Sequence, residues 1–301
     1  MKLAVTGSTG FVGSRLLELA LAAGHPIRAL TRRPQGPREG VTWIDGALDR
    51  PDSLDALCEG ADAVIHVAGV INAPDAAGFE AGNVTGTAAM LAAAKQAGVR
   101  RFVHVSSLAA REPELSQYGA SKARSEALVR ASGLPFAIVR PPAVYGPGDK
   151  EMLELFRMAR RGIVLLPPGG RLSVIHADDL ARLLLGLAGP EAPSGLVIEP
   201  DDGRPNGWSH GEFGQALGRA VGRRVATFST PRPILDLGAR IDRIVRRGRA
   251  KLTADRVAYF CHPDWTVDPA RGVAQALWRA TIDTEDGLSD TVSWYRAQGW
   301  L

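Results

Sequence analysis

The first half of the chain alternates short apolar runs with stretches of helical periodicity. Residues 2–5, 27–30, 41–44, 63–67, 101–105 and 136–139 are apolar and partly β-branched, the pattern of strands buried on both faces. Between them, 13–23, 53–59, 85–97 and 121–132 repeat their apolar positions at helical spacing. Asp52 or Ser53 is placed to cap the second of these helices, with Pro51 just before it. Strand–helix alternation of this kind predicts an α/β protein: a Rossmann-type, doubly wound parallel sheet with right-handed crossovers.

Beyond Tyr145 the alternation loosens. Gly146-Pro147-Gly148 and Pro167-Pro168-Gly169-Gly170 are turn-forming breaks, with a helix expected at 152–161 between them. A short strand at 173–177, a helix at 179–188 headed by Asp179 and a last strand at 196–199 follow. The remainder, 203–301, is helical and basic, without strict alternation. The expected division is a nucleotide-binding domain of residues 1–145 plus about 173–200, and a smaller, mostly helical C-terminal substrate lobe of about 146–172 plus 201–301.

Composition narrows the class. Hydrophobic residues make up 45% and charged residues 23%, ordinary for a soluble globular chain. No apolar run reaches the length of a membrane span. The N-terminal run enters a strand directly, without a secretory pattern. Cys58 and Cys261 form no CxxC and have no histidine cluster beside them, so neither a metal site nor a disulfide framework is expected, and a cytoplasmic compartment is. A net charge of +4 suits a small anionic ligand and is too weak for nucleic acid.

Thr6-Gly7-Ser8-Thr9-Gly10-Phe11-Val12-Gly13 joins the first strand to the first helix. Gly7 permits a tight turn, Gly10 lets backbone approach a pyrophosphate, and Gly13 lets helix and strand pack closely. The first helix then offers N–H groups and partial positive charge to phosphates. A carboxylate ending the second strand would accept ribose hydroxyls and favour NAD(H). Here Thr31-Arg32-Arg33 stands instead. Guanidinium groups fork onto a 2′-phosphate, so NADP(H) is the expected cofactor and NAD(H) the second option. An ordinary solvated strand end is the competing reading of the arginine pair.

Tyr118-Gly119-Ala120-Ser121-Lys122 puts a phenol and an ammonium on one helical face. Val105-Ser106-Ser107 ends the fifth strand eleven residues before Tyr118, where ligands sit in doubly wound sheets. Tyr118 is then the proton donor or acceptor for a substrate oxygen. Lys122 lowers the phenol's pKa and holds the nicotinamide ribose. Ser107 orients the carbonyl, and Ser106 neighbours the cofactor. Strand-end capping by the serines and a plain amphipathic helix for Tyr118 and Lys122 are the bland alternatives.

Taken together these residues resemble the extended or atypical short-chain dehydrogenase/reductase superfamily, the epimerase/dehydratase-like enzymes. His66-Val67-Ala68-Gly69 is similar to its fourth-strand motif, Asn83 falls at its helix-stabilising asparagine, and the stretch from Arg140 to Asp149 resembles its sixth-strand segment. Residues 175–180 are similar to its later strand–helix junction. The resemblance implies cofactor contacts from Leu48, Ala68, Gly69, Pro141, Ala143 and Val144, besides the phosphate turn, Tyr118 and Lys122. Ala47 stands where relatives often carry an adenine-binding Asp, which implies that this contact is lost or supplied by Asp45. The short segment between Ser107 and Tyr118 is more like the reductase and electron-transfer-complex-accessory branches than sugar-nucleotide enzymes. The C-terminal segments 251–265 and 294–301 resemble dihydroflavonol-reductase-like and hydroxysteroid-dehydrogenase-like relatives, and a homodimer is common among them.

The implied function is an NADP(H)-dependent oxidoreductase acting on a carbonyl or secondary alcohol of a small organic substrate. An NDP-sugar epimerase or dehydratase is one alternative, and a non-catalytic NADP-binding accessory or sensor protein the other. One segment stands apart. Ile234, Leu235, Leu237, Ile241, Ile244 and Val245 recur at near-helical spacing among Arg240, Arg243, Arg246, Arg247 and Arg249. The first reading is a helix packed in the substrate lobe with a solvated arginine face. The second is peripheral contact with an anionic membrane surface.

Overall fold

The computed structural model describes residues 1–246, 252–273 and 277–301. Arg247, Arg249 and Lys251 of the basic segment lie outside the described residues. In chain order the elements begin β1 (Leu3–Thr6), α1 (Phe11–Ala22), β2 (Ile27–Thr31), β3 (Val41–Asp45), α2 (Pro51–Cys58) and β4 (Ala63–His66). They continue with α3 (Ala76–Phe79), a π-turn (Glu80–Thr85), α4 (Gly86–Gln96), β5 (Arg101–Val105), a 3-10 turn (Leu108–Arg111), α5 (Gln117–Ala131) and β6 (Phe136–Val139). Next come β7 (Ala143–Tyr145), α6 (Leu153–Arg160), β8 (Ile163–Leu166), β9 (Arg171–Leu172), β10 (Val174–His176), α7 (Ala177–Ala188) and β11 (Leu196–Ile198). The chain closes with β12 (Trp208–Ser209), α8 (His210–Val221), β13 (Ala226–Ser229), α9 (Arg232–Arg246), α10 (Ala254–Phe260), β14 (Asp264–Trp265) and α11 (Thr284–Ala297).

The chain forms two compact units, 1–140 with 180–198 and 141–179 with 199–301. The first holds a seven-stranded sheet in the order β11-β6-β5-β4-β1-β2-β3, every pair parallel. Strand order reverses direction between β1 and β4, the switch point at which such sheets bind ligands. β1, β4 and β5 are buried along their whole length, as strands covered on both faces must be. Leu54, Leu57, Met90, Phe102, Val129 and Ile138 fill one side of the sheet.

Three local expectations are corrected. Arg50, not Asp52 or Ser53, occupies the cap position of α2, and Pro51 is its first residue, where a missing N–H costs nothing. The Ser53 hydroxyl instead bonds back to the Arg50 carbonyl at 2.7 Å. Asp179 does not precede its helix but stands in the first turn of α7, where its carboxylate accepts the Thr281 and Ile282 N–H groups. The strand expected at 173–177 forms, as β10, but pairs with β7 in a separate two-stranded sheet, while β11 takes the place beside β6. Residues 141–145 and 173–179 therefore fall in the second unit, not with the sheet.

The second unit packs Tyr145, Phe156, Trp208, Phe213, Leu288 and Tyr295 into its own core. Ser209 and Glu212 form a capping box on α8, and Gly222 ends that helix in the left-handed conformation. The helix that carries the basic segment, α9, is not packed by its apolar stripe. Ile234, Leu237, Ile241, Ile244 and Val245 are all more than half exposed, and Ala239, toward the other side, is its buried residue.

Candidate active site

The phosphate turn is shaped by close backbone contacts. Gly7 has a φ of +71°, and a Cβ there would lie 2.8 Å from the Ala68 nitrogen. Its bare Cα therefore lets the turn after β1 touch the turn after β4 at the switch point. A Cβ on Gly13 would fall 2.0 Å from the Gly7 carbonyl oxygen, so only glycine lets α1 start against that turn. Gly10 is the N-cap of α1 and offers no side-chain cap, which leaves the first-turn N–H groups of Phe11, Val12 and Gly13 for an anion. Thr9 is exposed at the same turn. This cradle fits a dinucleotide pyrophosphate.

Around it, the Ser8 hydroxyl donates to the Leu30 carbonyl and ties the turn to the end of β2. Arg32 and Arg33 follow β2 with exposed side chains and no ionic partner among the described residues. A cleft of about 400 Å³ opens beside Ser8, Thr9, Gln35 and Arg38. Leu48 lies where a Cβ on Gly86 would meet it at 2.7 Å, so glycine at the head of α4 makes room for it. A larger cleft, about 620 Å³, is bordered by Asp45, Asp49 and Asp52 and includes none of the Ser/Tyr/Lys group.

The floor beneath the switch point is polar, and both ring nitrogens of His66 are paired. Thr87 donates to the Asn83 carbonyl at 2.6 Å, so its oxygen accepts from His66 Nε2 at 3.1 Å. Nδ1 then accepts from the Thr6 hydroxyl at 2.8 Å, and the Thr6 oxygen accepts the Ala68 N–H. Burial, and next the neighbouring Lys122 charge, push His66 down to about 3, so it is neutral. His66 is thus a buried organiser of the Ala68 turn. His104 stacks on it at 5.5 Å, bonds Ser125 through Nε2, and is likewise held well below its ordinary value by burial.

α5 carries Tyr118 and Lys122. Ser116 caps it by accepting the Gly119 N–H. A Cβ on Gly119 would sit 2.6 Å from the Ala109 carbonyl, so this glycine lets the 3-10 turn after Ser107 lie against the first turn of α5. Tyr118 is half-buried, its ring 6.2 Å from that of Phe79. Lys122, one turn on, is buried and donates to the Val105 carbonyl at 2.8 Å. Burial pushes its pKa down to about 8, against the opposing pull of Glu126. Asn83 accepts from the Val70 N–H and donates to the Val70 carbonyl and the Ser121 hydroxyl, fixing the Gly69 loop to α5. A Cβ on Gly69 would come within 3.4 Å of the Lys122 nitrogen.

The two serines differ. Ser106 donates its proton to Glu126 at 2.6 Å. Ser107 accepts the Ala109 N–H at 3.2 Å and keeps its own proton for a further acceptor. Both therefore play a structural part, and Ser107 alone retains a donor. Glu126 was not singled out from the sequence. Arg140 forks onto it at 2.7 and 2.8 Å, and Arg130 adds a third contact. Burial alone raises its pKa, but the bonds from Arg140 and Ser106 outweigh it and hold the carboxyl below its ordinary value. Its signal was present: Tyr118, Lys122 and Glu126 stand at successive four-residue steps on one helix face. Pro141, Ala143 and Val144 belong to the second unit, at and just before β7.

A glycine-shaped anion cradle at the switch point of a parallel sheet, with tyrosine and lysine one turn apart on a flanking helix, defines a Rossmann protein of the short-chain dehydrogenase/reductase type. The model of the NAD dependent epimerase/dehydratase family matches residues 3–191, and the chain belongs to that family. It is 39% identical to a ceramide reductase of Caulobacter vibrioides, over 99% of this chain and 95% of the relative. It is 29% identical to a 2-alkyl-3-oxoalkanoate reductase of Stenotrophomonas maltophilia, over 90% and 93%. Among solved structures, the Bordetella bronchiseptica enzyme WbmG in complex with NAD superposes with a TM-score of 0.77 at 22% identity, over 100% of this chain and 95% of that one, a likeness of fold. No described helix is long and apolar enough to cross a membrane.

Proposed function

We propose that this chain is an NADP(H)-dependent reductase that converts a ketone on an alkyl-chain, lipid-like substrate to a secondary alcohol. The observation that carries the reading is the set of donors on α5 and the turn after β5: the Tyr118 phenol, the buried Lys122 ammonium one turn away, and the uncommitted proton of Ser107. Bound NADPH supplies the hydride. Ser107 donates a hydrogen bond to the substrate carbonyl oxygen and orients it. Tyr118 gives that oxygen its proton as the carbonyl carbon is reduced. Lys122 stabilises the phenolate left behind and binds the nicotinamide ribose. The product is the alcohol, with one hydride and one proton added. The first-turn N–H groups of α1 hold the pyrophosphate, and Arg32 and Arg33 bind the 2′-phosphate. The two named reductases among the relatives, aligned over nearly the whole chain, support reduction over epimerisation.

Tryptophan-fluorescence titration with NADPH and NADH tests the cofactor reading. The native protein is expected to prefer NADPH, and Arg32→Ala/Arg33→Ala to lose that preference. Equal affinity for NADH in the native protein refutes it. Turnover of 2-alkyl-3-oxo acids and N-acyl amino-ketones of long chain tests the chemistry. Tyr118→Phe is expected to bind NADPH normally and to lose about a hundredfold or more in rate.

A further inference from the structure

Most of the strongly exposed large apolar side chains in the described residues lie in two neighbouring stretches of the second unit. The first is a two-stranded parallel ribbon of β8 and β13, paired Ala226 to Ile163 and Phe228 to Leu165. Its inner face, Val164 and Leu166, enters the core. Its outer face shows Ile163, Leu165 and Phe228 at 48%, 51% and 52% exposure. Soluble surfaces rarely leave such a face open without a use for it.

The second stretch is α9, reached from Ser229 through Thr230 and Pro231. Its five exposed apolar residues, Ile234 to Val245, recur at steps of three and four and make one stripe. The helix is held from its other side, where Asp242 accepts the Leu252 N–H at 2.9 Å and Ala239 is buried.

On these two stretches the carboxylates are paired, and the charges left over are arginines. Arg160-Arg161 precede β8 and Arg223-Arg224 precede β13. Because the strands are parallel and in register, both pairs fall at the same end of the ribbon. On α9, the carboxylates Asp236 and Asp242 are paired with Arg232 and Arg246, while Arg240 and Arg243 have no ionic partner among the described residues. Apolar side chains edged by unpaired guanidinium groups match the boundary of an anionic bilayer. The apolar groups enter the acyl layer and the guanidinium groups fork onto lipid phosphates. A second copy of the chain fits poorly, since a two-fold contact would set this same arginine-rich patch against itself.

We infer that the β8–β13 ribbon and α9 form a docking surface for the face of an anionic lipid membrane. The surface is built wholly within the second unit and does not depend on the reading of the Ser/Tyr/Lys site.

The test is flotation of the full chain with vesicles of phosphatidylcholine alone or of equal phosphatidylcholine and phosphatidylglycerol, at low and high salt. Binding is expected only with phosphatidylglycerol and is expected to weaken with salt. Each arginine near such a surface strengthens binding about fivefold, so Arg240→Gln/Arg243→Gln should lose about 25-fold. Ile241→Ser/Ile244→Ser and Leu165→Ser/Phe228→Ser, which replace exposed side chains, should lose binding while NADPH quenching stays native. Absence of binding to anionic vesicles, or binding that none of the variants alters, overturns the inference. So does a native dimer in sedimentation velocity that Ile241→Ser/Ile244→Ser splits, since a second copy would then cover the patch.

Discussion

Replacing Lys122 by methionine should make the protein more stable at neutral pH while abolishing its turnover. The ammonium is buried, and burial pushes its pKa from 10.5 down to about 8. At about 1.36 kcal/mol per pH unit, the charged form costs the fold about 3 kcal/mol below pH 8. Methionine fills a similar volume without charge. It also leaves the Val105 carbonyl without its 2.8 Å partner, which costs about 1–2 kcal/mol. The net expectation is a gain of about 1–2 kcal/mol. The sign follows from proton binding. Between pH 8 and 10.5 the unfolded chain holds the Lys122 proton and the folded chain does not, so native stability rises with pH through that window. The variant's advantage should be full below pH 8 and should turn into a deficit of about 1–2 kcal/mol above 10.5, where only the lost bond to the Val105 carbonyl remains. Urea unfolding of both proteins at a neutral and a strongly alkaline pH measures this. A methionine variant less stable than native at neutral pH, or an advantage that persists unchanged at alkaline pH, would refute the reasoning.

Two further outcomes are expected. Glu126→Gln should destabilise the fold by about 3–5 kcal/mol, because Arg140 stays buried without its counter-charge. The Glu126 pKa is depressed in the fold, so the native contribution is present above its ordinary 4.5 and is lost as pH falls through the folded value. Thermal melts from neutral to acid pH should therefore show native and variant converging, and parallel curves would contradict the assignment. Gly13→Ala should lower both melting temperature and NADPH affinity, although alanine favours helix by about 1 kcal/mol, because its Cβ meets the Gly7 carbonyl at 2.0 Å. A variant that melts and binds like the native chain would show that the turn yields at little cost.

Local patterns were readable where one short segment carries its own physics. The strands of the sheet and the Gly7–Gly13 turn were legible because burial on both faces and the need for bare Cα atoms constrain residue type directly. The pairing of β10 was not, since a short buried triplet such as Val174–His176 carries no mark of its parallel partner. Between Ala76 and Gln96 helical periodicity is legible only from 85 onward, because Gly78, Gly82 and Gly86 weaken it; in the fold these glycines admit the close approach of Ala73, Val70 and Leu48 respectively. At the candidate site, the spacing of Tyr118 and Lys122 does set them one turn apart on α5, but the split between Ser106 and Ser107 depends on Glu126, a long-range partner no local window contains. The apolar stripe of α9 was visible in its periodicity, yet periodicity cannot say which side of a helix the rest of the chain covers.

The stripe of Tyr118, Lys122 and Glu126 on α5 has a consequence for how this chain can diverge. The proposed proton donor, the buried ammonium beside it and the clasp on Ser106 and Arg140 share one helical ladder. Inserting or deleting one residue between Tyr118 and Glu126 would turn one end of the ladder by about 100° relative to the other and disconnect chemistry from scaffold. The segment between Ser107 and Ser116 is under no such rule, for it ends in a fresh cap that restarts the helix. Divergence among descendants should therefore show as changes of length before Ser116, with the nine positions from Tyr118 to Glu126 transmitted as an indivisible block.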